Sequence, residues 1–310
     1  MFDAERARAD VRAGLLHAPR SLPPKYFYDE RGSALFDEIT RLDEYYPTRT
    51  ERALLERHAR RIIECTAPRT LVELGAGSAS KTEVLLDALI AHTADATYLP
   101  VDVSVAHLEN AAQRLRTRYP ALAVHPVAAD YLEPFALPAH PTPALHAFLG
   151  STIGNFEPAD AVRFLGGIRS RMTARDHFLL GADLRKDAEI VARAYNDARG
   201  VTADFNRNAL RVLNATLGSD FDVTAFAHRA VYDTAKHRIE MYLIPEHDQH
   251  VHVPGVGEIV IAGGEPMLTE VSYKYDRATI ETMLAGGGMT LVDWLVDPAQ
   301  LFALALARPA

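Results

Sequence analysis

Residues 71–82, Leu-Val-Glu-Leu-Gly-Ala-Gly-Ser-Ala-Ser-Lys-Thr, constrain the fold of this 310-residue chain more than any other stretch. Leu71, Val72 and Leu74 read as a buried strand that carries one acid, Glu73. The run breaks at Gly75-Ala76-Gly77 and passes into a helical pattern from Thr82. That order places backbone N–H groups and a helix N-terminus at the carboxyl end of a strand. Open α/β sheets bind nucleotides and nucleosides there.

Downstream, strand and helix keep alternating. Strands are expected over 98–103, 124–130, 144–150 and 177–184, with helices over 104–119 (Ser104 as N-cap) and 158–173 between them. This predicts an α/β fold with a parallel, doubly wound sheet. A last helix spans 277–285. The final runs, 291–296 and 302–307, are too close for a helical crossover, so an antiparallel C-terminal hairpin closes the sheet. Between 187 and 273 the rhythm changes. Residues 187–217 read as mostly helical, and 226–273 as an antiparallel insertion with strands 227–233, 237–244, 249–253, 257–262 and 267–273.

The N-terminal region is expected to begin with a helix over 3–16. Pro23 and Pro24 forbid helix in the aromatic segment 21–29, and a helix capped by Ser33 follows over 33–42. A second aromatic segment, 44–50, is broken at Pro47, and a long amphipathic helix starts at Thr50. The reading gives two domains: a sheet domain of 51–186 plus 274–310, and an α+β substrate-binding domain of 1–50 plus 187–273.

The glycine turn does not fit a dinucleotide. Ser80 stands where the third glycine belongs, and Asp102 lies 27 residues past Gly75 rather than about 20. Glu73, Asp102 and Asp130, in or ending successive strands, suit ribose hydroxyls and an adenine amino group. A nucleoside without pyrophosphate, such as S-adenosylmethionine, matches that set. A carboxylate ending a strand also commonly caps the next helix, so each acid alone is ambiguous. The cluster His247, His250 and His252 lacks a His-Glu-x-x-His spacing, so no metal is expected. A net charge of −8 argues against nucleic acid. A single cysteine, Cys65, excludes an internal disulfide. No apolar signal core or membrane-length apolar run is present, which points to a cytoplasmic protein without membrane contact.

Seven motifs carry a resemblance across nearly the whole chain. They are Leu-Pro-Pro-Lys-Tyr-Phe-Tyr-Asp (22–29), Glu-Tyr-Tyr-Pro-Thr-Arg-Thr-Glu-Arg (44–52), Val-Glu-Leu-Gly-Ala-Gly-Ser (72–78), Phe-Leu-Gly-Ser-Thr-Ile-Gly-Asn (148–155), Phe-Asn-Arg-Asn (205–208), Arg-Ile-Glu-Met (238–241) and Met-Leu-Thr-Glu-Val-Ser (267–272). The chain resembles the S-adenosylmethionine-dependent histidine Nα-methyltransferases of ergothioneine biosynthesis. The resemblance implies a Rossmann-like class I methyltransferase sheet and trimethylation of L-histidine to hercynine; the chain is expected to act as a monomer.

It further implies that Gly75, Lys81, Asp102, Asp130 and Tyr131 hold S-adenosylmethionine. Asn155 and Tyr195 would grip the substrate carboxylate. Tyr45, Glu270 and Ser272 would address the imidazole, with Phe36 and Met241 lining its pocket. Tyr28 and the Gly150 carbonyl would lie near the reacting amine. From the residues alone, Glu270-Val-Ser272 also reads as a solvent-facing strand edge. Alternatives are a related methyltransferase for another, aromatic amino acid, a non-catalytic nucleoside-binding protein, or an NAD-dependent oxidoreductase.

Overall fold

The computed structural model describes residues 3–310 apart from Leu132 and Pro134. It divides into two compact units, each made of two stretches of chain. The larger contains Pro47–Lys186 and Tyr273–Ala310; the smaller contains the chain up to Tyr46 together with Asp187–Ser272. Among the described residues no helix is long and apolar enough to cross a membrane.

In the larger unit one sheet runs Met289–Val296, Phe302–Pro309, His177–Asp183, Ala144–Phe148, Thr70–Leu74, Thr97–Asp102, Ala123–Val124. From His177–Asp183 to Ala123–Val124 every pairing is parallel. Phe302–Pro309 runs antiparallel to both its neighbours. Thr70–Leu74 and Ala144–Phe148 are buried at every residue, as a sheet covered on both faces requires. One core layer takes Leu71, Leu145 and the helices Tyr46–Thr66 and Glu83–His92. The other takes Val72, Phe148 and the helices Pro158–Arg169 and Arg277–Gly286. The strand order reverses between Thr70–Leu74 and Ala144–Phe148, which makes their carboxyl ends the topological switch point.

Two expectations for this unit need correction. The strand over 124–130 is broken into Ala123–Val124 and Val127–Ala128 around Pro126, which has no N–H for the ladder. Asp130 therefore lies beyond the strand. The long helix begins at Tyr46, not Thr50. Pro47 falls in its first turn, where the missing N–H would have had no partner.

The smaller unit holds a sheet in the order Arg20–Ser21, Met267–Tyr273, Arg238–Pro245, Phe226–Asp233. The last two strands form an antiparallel pair, as expected for the insertion, and Arg20–Ser21 from the N-terminal segment joins Met267 and Leu268 in parallel. The helices Ala188–Tyr195 and Val201–Leu217 belong to the same unit. A separate hairpin, Gln249–Val253 with Gly257–Ile261, exposes His250 and His252, and His252 Nδ1 meets Glu258 Oε1 at 2.7 Å.

Two N-terminal expectations also change. Pro24–Phe27 forms a short 3-10 turn with proline in its first turn. The next helix is Glu30–Ile39, capped by Asp29, whose Oδ1 accepts the Gly32 N–H at 2.7 Å; Ser33 lies inside the helix.

Gly32 marks a close approach. A Cβ there would lie 1.6 Å from the Phe27 carbonyl oxygen and 2.8 Å from Asn208 Nδ2. Helix propensity alone would make Gly32→Ala stabilising by up to about 1 kcal/mol. Overpacking predicts the opposite sign, a loss of about 1–3 kcal/mol. Thermal melting of the variant decides between them, and a raised Tm would show that the segment before Asp29 yields without cost.

Candidate active site

The turn after Thr70–Leu74 is tied to the neighbouring strand. Gly75 and Gly77 take left-handed backbone, with φ of +66° and +52°. The Gly75 and Ala76 N–H groups both donate to the Val101 carbonyl, at 2.8 and 3.2 Å. Asp102 Oδ2 accepts from the Gly77 N–H and Oδ1 from the Ser104 N–H, each at 2.9 Å. A carboxylate offers about four lone-pair sites, so Asp102 retains acceptor capacity for a ligand diol. The Tyr131 ring covers the turn, 3.5 Å from where a Gly75 Cβ would stand, and packs edge-on against Phe148 and Phe164. Burial raises the Tyr131 phenol pKa, and the charges of Asp102 and Asp130 raise it further. The structure therefore brings Gly75, Asp102, Asp130 and Tyr131 together.

Glu73 is a different kind of acid from the one its sequence position suggested. It is 3% exposed and accepts from Thr82 Oγ1 at 2.6 Å and from the Tyr98 hydroxyl. Burial pushes its carboxyl up to about 7, against those two hydrogen bonds. Its contacts fasten the start of the next helix to the sheet, so it is a structural anchor rather than a third ribose-facing acid.

Lys81 pairs with Glu51, a carboxylate with no exposed surface. The other oxygen of Glu51 accepts the Gly150 N–H at 2.7 Å. A Cβ on Gly181 would lie 2.0 Å from that oxygen, so glycine there makes room for it. Gly150 and Ser151 take left-handed backbone (φ +79° and +57°) and lead into the 3-10 turn Thr152–Asn155. Lys81, Gly150 and Asn155 thus stand at the carboxyl ends of the two switch-point strands. Glu51 was missed by sequence reasoning, although a signal exists. It continues the buried stripe of Leu55 and Ile62, where a charge needs a partner.

The smaller unit gathers the remaining predicted residues. Tyr28, Phe36, Tyr45 and Tyr195 form a row of edge-to-face rings, with centroids 5.8, 6.2 and 6.2 Å apart in turn. Phe205 packs against Phe27, Tyr28 and Phe36 and is the hub that the sequence reading did not assign. Asn208 Nδ2 donates to the Phe27 carbonyl (3.1 Å) and to Asp29 Oδ1 (2.7 Å), fixing the chain on both sides of Tyr28. The row ends where the Tyr195 hydroxyl donates to Ser272 Oγ at 3.1 Å. Ser272 is 3% exposed and Glu270 half-buried, so this stretch is not a solvent-facing edge. Met241 is buried beside Ile239 and Leu243.

A family model described as histidine-specific, S-adenosylmethionine-dependent methyltransferase matches residues 7–309. The chain belongs to that family. It is 46% identical over 305 residues to a histidine N-alpha-methyltransferase of Mycolicibacterium smegmatis, covering 98% of this chain and 95% of the relative. It is 34% identical to ergothioneine biosynthesis protein 1 of Schizosaccharomyces pombe over 68% of this chain and 29% of that longer protein. In fold it is similar to the crystal structure of an S-adenosylmethionine-dependent methyltransferase from Clostridium acetobutylicum, with a TM-score of 0.52 at 13% identity, covering 90% of this chain and 98% of that one. The protein is an S-adenosylmethionine-dependent methyltransferase with a class I sheet.

The raised Glu73 pKa predicts a pH-dependent stability. With its pKa raised from 4.5 to about 7, the folded state holds the proton more tightly than the unfolded chain. Its contribution is therefore fully present below about 4.5 and is lost as pH rises through 7. Glu73→Gln removes that loss. Its Tm relative to wild type should climb between pH 5 and 8, by an equivalent of at most about 3 kcal/mol. A constant difference across that range would refute the buried, proton-holding role.

Proposed function

We propose that the protein transfers three methyl groups in succession to the α-amino nitrogen of L-histidine, forming hercynine in ergothioneine biosynthesis. The observation that carries the reading is the polar end of the ring row. Buried Ser272, bonded to Tyr195 at the end of the ring row, sits two residues from half-buried Glu270. A carboxylate and a hydroxyl offer an acceptor and a donor to the two nitrogens of an imidazole. A ring that cannot offer both a donor and an acceptor would leave one of the site's polar atoms unpaired, which disfavours phenyl and indole side chains. The names of the relatives from Mycolicibacterium smegmatis and Schizosaccharomyces pombe support the same substrate and pathway.

The larger unit has donors and space that fit S-adenosylmethionine. Among the described residues, none apart from the chain neighbours of Gly77 comes within 4 Å of a Cβ built there, Asp102 keeps acceptor capacity, and Lys81 brings an ammonium to the same strand ends. Gly75 and Asp102 would hold the ribose side, Asp130 and Tyr131 the adenine side, and Lys81 the carboxylate of the methionine part. When bound, S-adenosylmethionine supplies an electrophilic methyl group. Tyr195 and Asn155 are assigned to the carboxylate of the amino acid, and Tyr45, Glu270 and Ser272 to its imidazole, with Phe36 and Met241 as apolar walls. Tyr28 and the Gly150 carbonyl would orient the amine. Methylation needs the nitrogen lone pair, so these groups must hold the amine after its proton has left; their chief contribution is alignment.

Mass spectrometry of the protein with S-adenosylmethionine and each of the twenty amino acids tests the reading. Histidine should gain one, two and then three methyls; another amino acid gaining them in its place would overturn it. Glu270→Ala should raise the KM for histidine about tenfold or more and leave that for S-adenosylmethionine nearly unchanged. Equal effects on both would remove Glu270 from imidazole recognition.

A further inference from the structure

Asn206 lies fully buried inside the helix Val201–Leu217, where asparagine is a poor helix former and a buried amide is costly unless bonded. Its Nδ2 donates to the Tyr242 carbonyl at 3.0 Å, and its Oδ1 accepts from Thr269 Oγ1 at 2.7 Å. A carbonyl cannot donate, so the amide has one admissible orientation. Nδ2 also lies 2.8 Å from His228 Nδ1, which must therefore present a lone pair. The other ring nitrogen, Nε2, stands 2.9 Å from the Tyr195 carbonyl and must carry the proton. The two carbonyls, at opposite ends of the chain of bonds, select the same neutral tautomer. Burial lowers the pKa of His228; the bond to Tyr195 raises it, Arg207 lowers it and Asp197 raises it.

The contacts close a circuit. Tyr195 is held at its carbonyl by His228 and at its hydroxyl by Ser272. His228 bonds to Asn206, and Asn206 to Thr269, which is in the same strand as Ser272 and adjacent to Glu270. Thr269 Oγ1 also lies 3.0 Å from the Met241 carbonyl. Tyr195, Met241, Glu270 and Ser272, the substrate residues proposed above for this part of the unit, are thus all on or next to one hydrogen-bonded loop. We propose that Asn206 and His228, the latter fixed as the neutral Nε2–H tautomer, are positioning residues that set the distance between Tyr195 and the Glu270–Ser272 segment for histidine recognition. The inference rests on the histidine reading given under Proposed function. Its size follows from geometry, because a displacement of about 1 Å in a positioning group can cost on the order of a hundredfold.

Two measurements test it. Long-range proton–nitrogen NMR of wild-type protein, with the His228 signals assigned by their loss in His228→Gln, should show Nε2–H and an unprotonated Nδ1 throughout pH 5.5–8. An Nδ1–H tautomer or an imidazolium in that range overturns the proposal, whatever the substrate is. Calorimetry should then show that Asn206→Asp, which puts an acceptor against the Tyr242 carbonyl, weakens L-histidine binding at least about tenfold. S-adenosylhomocysteine binding should stay within about twofold. Unchanged histidine affinity, or equal loss of both ligands, overturns the positioning role. If wild-type protein binds a different amino acid and no histidine, the histidine reading fails, and the tautomer measurement still decides the geometry separately.

Discussion

A carboxylate removed from water is tolerated only if its charge and its lone pairs are both answered. Glu51 meets that condition by joining three parts of the larger unit. Its oxygens take the Lys81 ammonium and the Gly150 N–H, and Gly181 leaves the space it occupies. The turn after Thr70–Leu74 and the turn after Ala144–Phe148 are thereby registered to one group on the helix Tyr46–Thr66. Leaving a buried charge of this kind without its partner typically costs about 3–5 kcal/mol, more than any single apolar contact at the turn could replace. The positions of Lys81 and Gly150 are consequences of that pairing as much as of the sheet.

The sequence made the alternation of buried strands and helices in the larger unit legible because strands covered on both faces are continuously apolar and the crossovers are amphipathic. It also located all five strands between 226 and 273, where apolar and polar residues alternate between clear turns. Errors gathered at proline. Local pattern marks Pro24 and Pro47 as breakers, yet each sits in a first turn that makes no use of the missing N–H. Pro126 hides in an apolar run that reads as one strand, where it does break the ladder.

Polar residues were harder to read for a related reason, since a side chain's type does not disclose its environment. Glu73 and Asp102 look alike at the ends of adjacent strands. One is closed in by Thr82 and Tyr98, and the other keeps acceptor sites while binding two backbone amides. The ring row from Tyr28 to Tyr195 is assembled from segments nearly 170 residues apart, so no local spacing could reveal it. Those positions entered through the resemblance of long motifs to a known family. Asn206 lies within one of those motifs and His228 outside all of them, and their roles depend on which carbonyls face them, information present only in three dimensions.

The antiparallel strand Phe302–Pro309 lies inside the sheet, between Met289–Val296 and His177–Asp183. During synthesis His177–Asp183 leaves the ribosome roughly 120 residues before that partner exists, and at about 5–20 residues per second the wait lasts several seconds or longer. Throughout that interval an apolar strand edge stands unpaired while the whole of Asp187–Ser272 is being made. The smaller unit's own hairpins, whose partners are close in sequence, can form within the same window. Newborn chains thus pass through a stage in which the part that reads the substrate can be ordered while the part that would hold the methyl donor still presents a sticky edge, the stage at which chaperone contact or aggregation would act.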